Sequence, residues 1–205
     1  MPGVADVGIE FEKFLQSWTV ERGNLPASVE VLGNGFEGWL KFEFYFWLIR
    51  EHGLRATCAG EYGDIGVEYG VALDQRRASM DIREKRCDLW VSDLKGRYHF
   101  IEIKVPFANR NQGKMFNSAS DDYWYMSRLR SQAEQVSTGS VIIVGVNFAD
   151  ERWDKHLERV AGAADAYRQT SHCGGRVPGS QSLHWAVLTT HYPQPVRDAV
   201  EETSL

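Results

Sequence analysis

The run Tyr98-His99-Phe100-Ile101-Glu102-Ile103-Lys104-Val105 constrains this chain most. In an extended strand it puts Ile101, Ile103 and Val105 on one face and Glu102 and Lys104 on the other. A strand this apolar belongs inside a sheet, where charges are costly unless paired or bound to a metal. A second apolar run, Cys87-Asp88-Leu89-Trp90-Val91, precedes it, and the polar turn Ser92 to Arg97 joins the two. Asp88 lies 14 residues before Glu102. A hairpin of this length brings the two carboxylates across from each other.

The rest of the chain reads as helices and strands around that hairpin. Ile9, Phe11, Phe14, Leu15 and Trp18 predict a helix over 6–22, stopped by Gly23-Asn24-Leu25-Pro26. A strongly apolar helix is expected from about Phe36 to Arg50, capped at His52-Gly53. Short extended pieces follow over 54–73, then a polar, basic connection over 74–85. After the hairpin, 106–121 reads as a Gly/Asn/Ser-rich loop. The acidic pair Asp121-Asp122 then opens a helix with the period Trp124, Met126, Leu129, Ala133. Val141 to Val146 is a buried strand, 151–168 a helix, Ser171 to Ser182 a Gly/Ser-rich loop, and Leu183 to Thr190 a last strand. This order predicts an α/β fold, a central mixed β-sheet flanked by helices. The 205 residues suit one domain, 1–205, with its core at about 36–148.

Composition narrows the function classes. No run approaches the 18 apolar residues of a membrane span, and the N-terminus lacks the pattern of a secretory signal, so a cytoplasmic location is expected. Cys58, Cys87 and Cys173 are three widely spaced cysteines, which suits neither a zinc ribbon nor a disulfide framework. A net charge of −5 argues against coating nucleic acid by bulk attraction. The basic residues nevertheless cluster near the hairpin: Arg76, Arg77, Arg83, Lys85 and Arg86 before it, and Lys95, Arg97, Lys104, Arg110 and Lys114 within and after it.

Two carboxylates and a lysine on paired strands have a definite chemistry. Asp88 and Glu102 offer hard oxygen ligands suited to Mg²⁺, with Mn²⁺ as a substitute. Such an ion activates water and offsets charge on a phosphodiester, and Lys104 would position the water, take its proton or stabilise the transition state. A third acid is expected on the aromatic helix. Glu43 shares a wheel stripe with Phe36, Leu40 and Trp47 and is the preferred residue; Glu37, in the first turn, is the alternative.

Asp88, then Glu102-Ile103-Lys104, with Glu43 or Glu37 upstream, resembles the signature of the PD-(D/E)XK nuclease superfamily, the restriction-endonuclease-like fold. Cys87 stands where that signature often has proline. The resemblance implies a metal-dependent endonuclease that cleaves DNA in preference to RNA, with Asp88, Glu102 and Glu43 as metal ligands and Lys104 as catalytic lysine. It leaves open a homodimer or a subunit of a larger complex, and an inactive nucleic-acid-binding or assembly subunit on the same fold. Asn109, Arg110, Asn111 and Lys114 are candidate substrate contacts in the loop that leaves the strand. Gln132 and Gln135 suit an exposed helix face as well as a phosphate contact. Tyr123, Trp124 and Tyr125 beside Arg128 and Arg130 are read as packing more than as a stacking surface. His99 is read as structural, and His172-Cys173 as a weak candidate for a thiol nucleophile.

Overall fold

The computed structural model describes residues 2–22, 29, 35–58, 63–73, 84–130 and 135–193. The described helices are α1 (Val7–Arg22), α2 (Phe36–His52), α3 (Gln112–Met126) and α4 (Asp150–Ala161). The strands are β1 (Ile65–Ala72), β2 (Glu84–Ser92), β3 (Tyr98–Lys104), β4 (Val136–Val146), β5 (Gln169–Arg176) and β6 (Leu183–His191). They form one mixed sheet in the order β1-β2-β3-β4-β6-β5. The pairs are antiparallel except β3 with β4, which run parallel with α3 lying between them in sequence. This is the expected α/β architecture, with helices covering both faces of the sheet.

Each face carries its own core. Under α1 and α2, Phe11, Phe14, Phe36, Leu40, Phe44 and Trp47 pack on Leu89, Ile101, Ile103, Ile142 and Val187. Under α3 and α4, Phe116, Tyr123, Met126 and Trp153 pack on Trp90, Phe100, Val141, Ile143 and Leu188. Strand β4 is buried along all of its length, which explains its unbroken apolar run. Helix α2 ends at Gly53, whose φ of 61° suits glycine and ends the helix. No helix among the described residues is long and apolar enough to cross a membrane.

The observed elements correct several sequence expectations. The expected loop over 106–121 ends at residue 111, where the Asn111 Oδ1 accepts the Phe107 N–H at 2.8 Å and closes a short turn. Helix α3 starts at Gln112 because Phe116, Ala119, Tyr123 and Met126 form its buried stripe. Asp121 and Asp122 therefore sit in its second half, not at its start; Asp121 is exposed and Asp122 points inward. The first half of the expected 171–182 loop belongs to β5, an edge strand with every residue exposed, held by its backbone ladder to β6. Helix α4 stops at Ala161, short of the expected 168. Lys85 belongs to β2 rather than to a connection. Gln135 precedes β4 rather than lying on a helix, while Gln132, Ala133, Arg76, Arg77, Arg83 and 23–28 lie outside the described residues.

The aromatic packing under α2 carries a stability prediction. Phe44 is fully buried, with ring centroids 5.1 Å from Phe11 and 5.3 Å from Phe14. Phe44→Ala is expected to cost about 3–5 kcal/mol in urea unfolding. Phe46→Ala, on the exposed side of the same helix, should stay within about 0.5 kcal/mol. Equal losses for the two would contradict this assignment of the inner face.

Candidate functional site

The β2–β3 ladder runs from Ser92↔Tyr98 to Leu89↔Ile101. One step further, Asp88 stands opposite Glu102, and there a side chain takes over from the ladder. The Asp88 Oδ2 accepts the Ile103 N–H at 2.9 Å. The neighbouring β1 residue Glu68 has a φ of 54°, which interrupts regular pleating at the same level. The strand pair is thus locally irregular where its charges lie.

Alternation along β3 then decides which face each charge takes. Ile101, Ile103 and Val105 join the core under α2, and Phe100 joins the one under α3. Glu102 and Lys104 fall on the α3 side. There Asp122 reaches down from α3, and Lys85 comes from the start of β2. Lys85 Nζ lies 3.0 Å from the Glu102 Oε1 and 3.0 Å from the Asp122 Oδ1. Lys104 Nζ lies 3.3 Å from the Glu102 Oε2 and 3.0 Å from the Asp122 Oδ2. Two carboxylates and two ammonium groups close a ring of alternating charge, with both carboxylates buried.

A second charge group adjoins the ring on the α2 side. Lys41 Nζ lies 3.3 Å from the Asp88 Oδ1 and 2.7 Å from the Glu68 Oε1. Glu37 Oε2 accepts the Val105 N–H at 3.3 Å. Glu37 and Lys41 are one turn apart and face Asp88 and Lys104 together. Glu43 lies elsewhere. It is 120° round the helix from Glu37, on the flank it shares with Trp39, whose ring stacks 4.3 Å from Trp18 of α1. Of the two helix acids, Glu37 is the one whose interactions with Asp88 and Lys104 the structure shows.

The electrostatics follow from burial and crowding. Burial pushes the Glu102 carboxyl up, and the Asp88 and Asp122 carboxylates push it further, to about 7, against the pull of Lys104 and Lys85. Burial also raises Glu37, against Lys104 and the Val105 N–H. Burial opposes the charges of Lys104 and Lys85, but the carboxylates around each outweigh it and both are held above the ordinary lysine value.

The donor chemistry suits a hard divalent cation: Asp88, Glu102 and Glu37 offer only oxygens, and the repulsion of Asp88 with each of the other two is what such an ion relieves. As oriented, the carboxylates are committed to lysines and backbone N–H groups. Among the described residues, no group of three or more His, Cys, Asp or Glu side chains is arranged to hold a metal ion. Sequence reading missed Lys85 and Asp122. The only signal for Asp122 was its place on the stripe of Phe116, Ala119, Tyr123 and Met126, once α3 is started at the right residue.

The candidate substrate contacts divide between two cavities. Lys114 and Asn111 line one of about 350 Å³ with Glu37, Val105, Phe107 and Met115. Arg110 lines another of about 320 Å³ with Phe107, Ala108, Val146 and Asn147. Asn109, with a φ of 64°, is exposed at the turn between them. Lys95 and Arg97 lie at the far end of the hairpin, about 20 Å along the strand from Lys104. Arg97 is held there by Asp93 and Ser137.

The remaining residues have structural settings. His99 is buried between the Thr138 hydroxyl and the Val4 carbonyl, and burial lowers its pKa. Tyr123 is buried, and the Arg128 guanidinium covers the Trp124 ring at 4.3 Å. His172 and Cys173 are neighbours on β5 and so point to opposite faces. Partial desolvation of the thiol, with Asp6 and Glu12, raises the Cys173 pKa, and Cys58, Cys87 and Cys173 are all free thiols. Comparison of the chain with protein-family models, curated proteins and solved structures gives no match.

Glu102 predicts a pH dependence. Its folded pKa lies above its ordinary value of 4.5, so the native state binds more protons in this range than the unfolded chain. Its contribution is present below 4.5 and is lost as pH rises through about 7. In a chelating buffer, the stability of the wild type relative to Glu102→Gln should fall by up to about 3 kcal/mol across this window. The raised lysines add no slope here, since their contribution is lost only above pH 10.5. Urea unfolding at both ends of the window checks this; a constant difference would contradict it.

Proposed function

We propose that this chain is a Mg²⁺-dependent endonuclease of the PD-(D/E)XK type, with a restriction-endonuclease-like core, and that it hydrolyses phosphodiester bonds in DNA. The observation that carries the reading is the meeting of Asp88, Glu102 and Lys104 at one level of a strand pair, with Glu37 beside them. The succession of α2, the hairpin, α3 and β4 supports the core assignment.

Asp88, Glu102 and Glu37 are the residues that would hold Mg²⁺ or Mn²⁺. When bound, the ion would supply Lewis acidity to a phosphate oxygen and acidify a water. Lys104, flanked by two carboxylates, carries a fixed positive charge. That suits it to stabilising charge on the phosphate more than to taking a proton. Asp88 holds the end of β3 through the Ile103 N–H, which fixes Glu102 and Lys104 relative to it. Lys114, which lines the cavity with Glu37, and Arg110, on the neighbouring cavity, would meet flanking phosphates.

A second reading has one observation in its favour. The ring of Lys85, Glu102, Lys104 and Asp122 is neutral and closed without any ion. It suits a non-catalytic nucleic-acid-binding or assembly subunit in which these charges only tie α3 to the sheet.

Incubation of the purified protein with plasmid, single-stranded DNA or RNA in Mg²⁺ or Mn²⁺ separates the two. Metal-dependent cleavage of DNA is expected, with Lys104→Ala and Asp88→Ala each reducing it by about 10²–10³. Glu37→Gln should reduce cleavage far more than Glu43→Gln. Cleavage indifferent to Lys104→Ala or Asp88→Ala would overturn the site. Metal binding without turnover would favour the second reading.

A further inference from the structure

We propose that Lys85 is an internal counter-ion that competes with the divalent cation for Glu102, and that Asp122 is the acceptor that keeps both lysines when Glu102 turns to the ion. The inference rests on the metal-dependent reading and concerns what limits cation binding there.

A carboxylate has two oxygens, and both oxygens of Glu102 face ammonium groups, Lys85 at 3.0 Å and Lys104 at 3.3 Å. A cation that takes Glu102 must displace one of them. Lys104 leaves β3 on the same face as Glu102, two residues on, and cannot withdraw far. Lys85 comes from the first turn of chain in β2 and is the more exposed of the two, at 19% against 12%. Lys85 is therefore the contact that yields. Asp122 makes this possible, because its Oδ1 and Oδ2 each hold one lysine at 3.0 Å. With Glu102 turned away, each ammonium keeps a buried anionic partner, and no charge is left unpaired. Lys85 thus sets the threshold cation concentration at which the site loads.

The test is Mn²⁺ titration of the full chain by calorimetry, read as an affinity without substrate. Lys85→Met should bind Mn²⁺ about tenfold more tightly than the wild type. Arg86→Met, which removes an exposed charge from the next position and is paired with Glu68, should change the affinity less than about twofold. Asp122→Asn should weaken binding, because both lysines then fall back on Glu102. The double variant Lys85→Met with Asp122→Asn leaves the neutral pair Glu102–Lys104. It should bind more tightly than Asp122→Asn alone, even if Lys85→Met by itself fails to fold. Unchanged or weaker binding on removing Lys85 in both backgrounds, with the wild type still binding, would overturn the competition and leave the nuclease reading standing. Absence of Mn²⁺ binding in every variant would overturn both.

Discussion

The burial of Glu102 is the constraint around which this part of the molecule is organised. Its strand is central in the sheet, next to the fully buried β4, so its side chain is almost wholly shielded from bulk water. A lone carboxylate there would be protonated or destabilising. Lys104 alone does not cover both of its oxygens, and the second requires Lys85. Two lysines against one carboxylate would leave a surplus charge, which Asp122 of α3 removes. One buried acid on β3 thus accounts for the charges chosen on β2 and α3. An ion-pair ring of this kind is weak evidence for added stability, since apolar residues of the same volume pack at lower desolvation cost.

The sheet divides these charges between two faces. Under α3, the ring is neutral, with its carboxylates buried and its two lysines partly exposed. Under α2, Asp88, Glu37 and Lys41 are half-buried, and Glu37 lines a cavity together with Lys114. The irregularity at Glu68 and Asp88 joins the two groups, since it lets Asp88 leave its regular place in the ladder and bond Ile103. The pKa of Glu102, near 7, measures the resulting crowding of carboxylates. Acids crowded in this way are a common signature of a functional site.

Period-two patterns made the hairpin legible in the sequence, and with it the meeting of Asp88 with Glu102 and the shared face of Glu102 and Lys104. The end of α2 was equally legible, because Gly53 is needed there for its backbone conformation. The start of α3 was hidden by Asn111, Gly113 and Asn117, polar or flexible residues that mask a buried stripe. Strand β5 was hidden because backbone bonding to β6 holds it in place, which leaves no apolar alternation. For a related reason, the wheel of α2 does not choose between its two acids. The helix is apolar nearly all round, so an acid on either flank of its inner face satisfies the pattern. Only contact with β3 distinguishes Glu37 from Glu43. Lys85 carries no local signal and Asp122 only its place on the buried stripe of α3, since their partners come from elements far apart in the chain.

The central claim is that Asp88, Glu102 and Glu37 share one divalent cation, and that the lysine ring is the arrangement they adopt without it. The most direct measurement is a crystal structure of the protein soaked in Mn²⁺ with anomalous data. The account predicts one anomalous peak coordinated by Asp88, Glu102 and Glu37, with Lys85 withdrawn from Glu102 and still paired with Asp122. A ring unchanged at saturating Mn²⁺, with no anomalous density between Asp88 and Glu102, would contradict it.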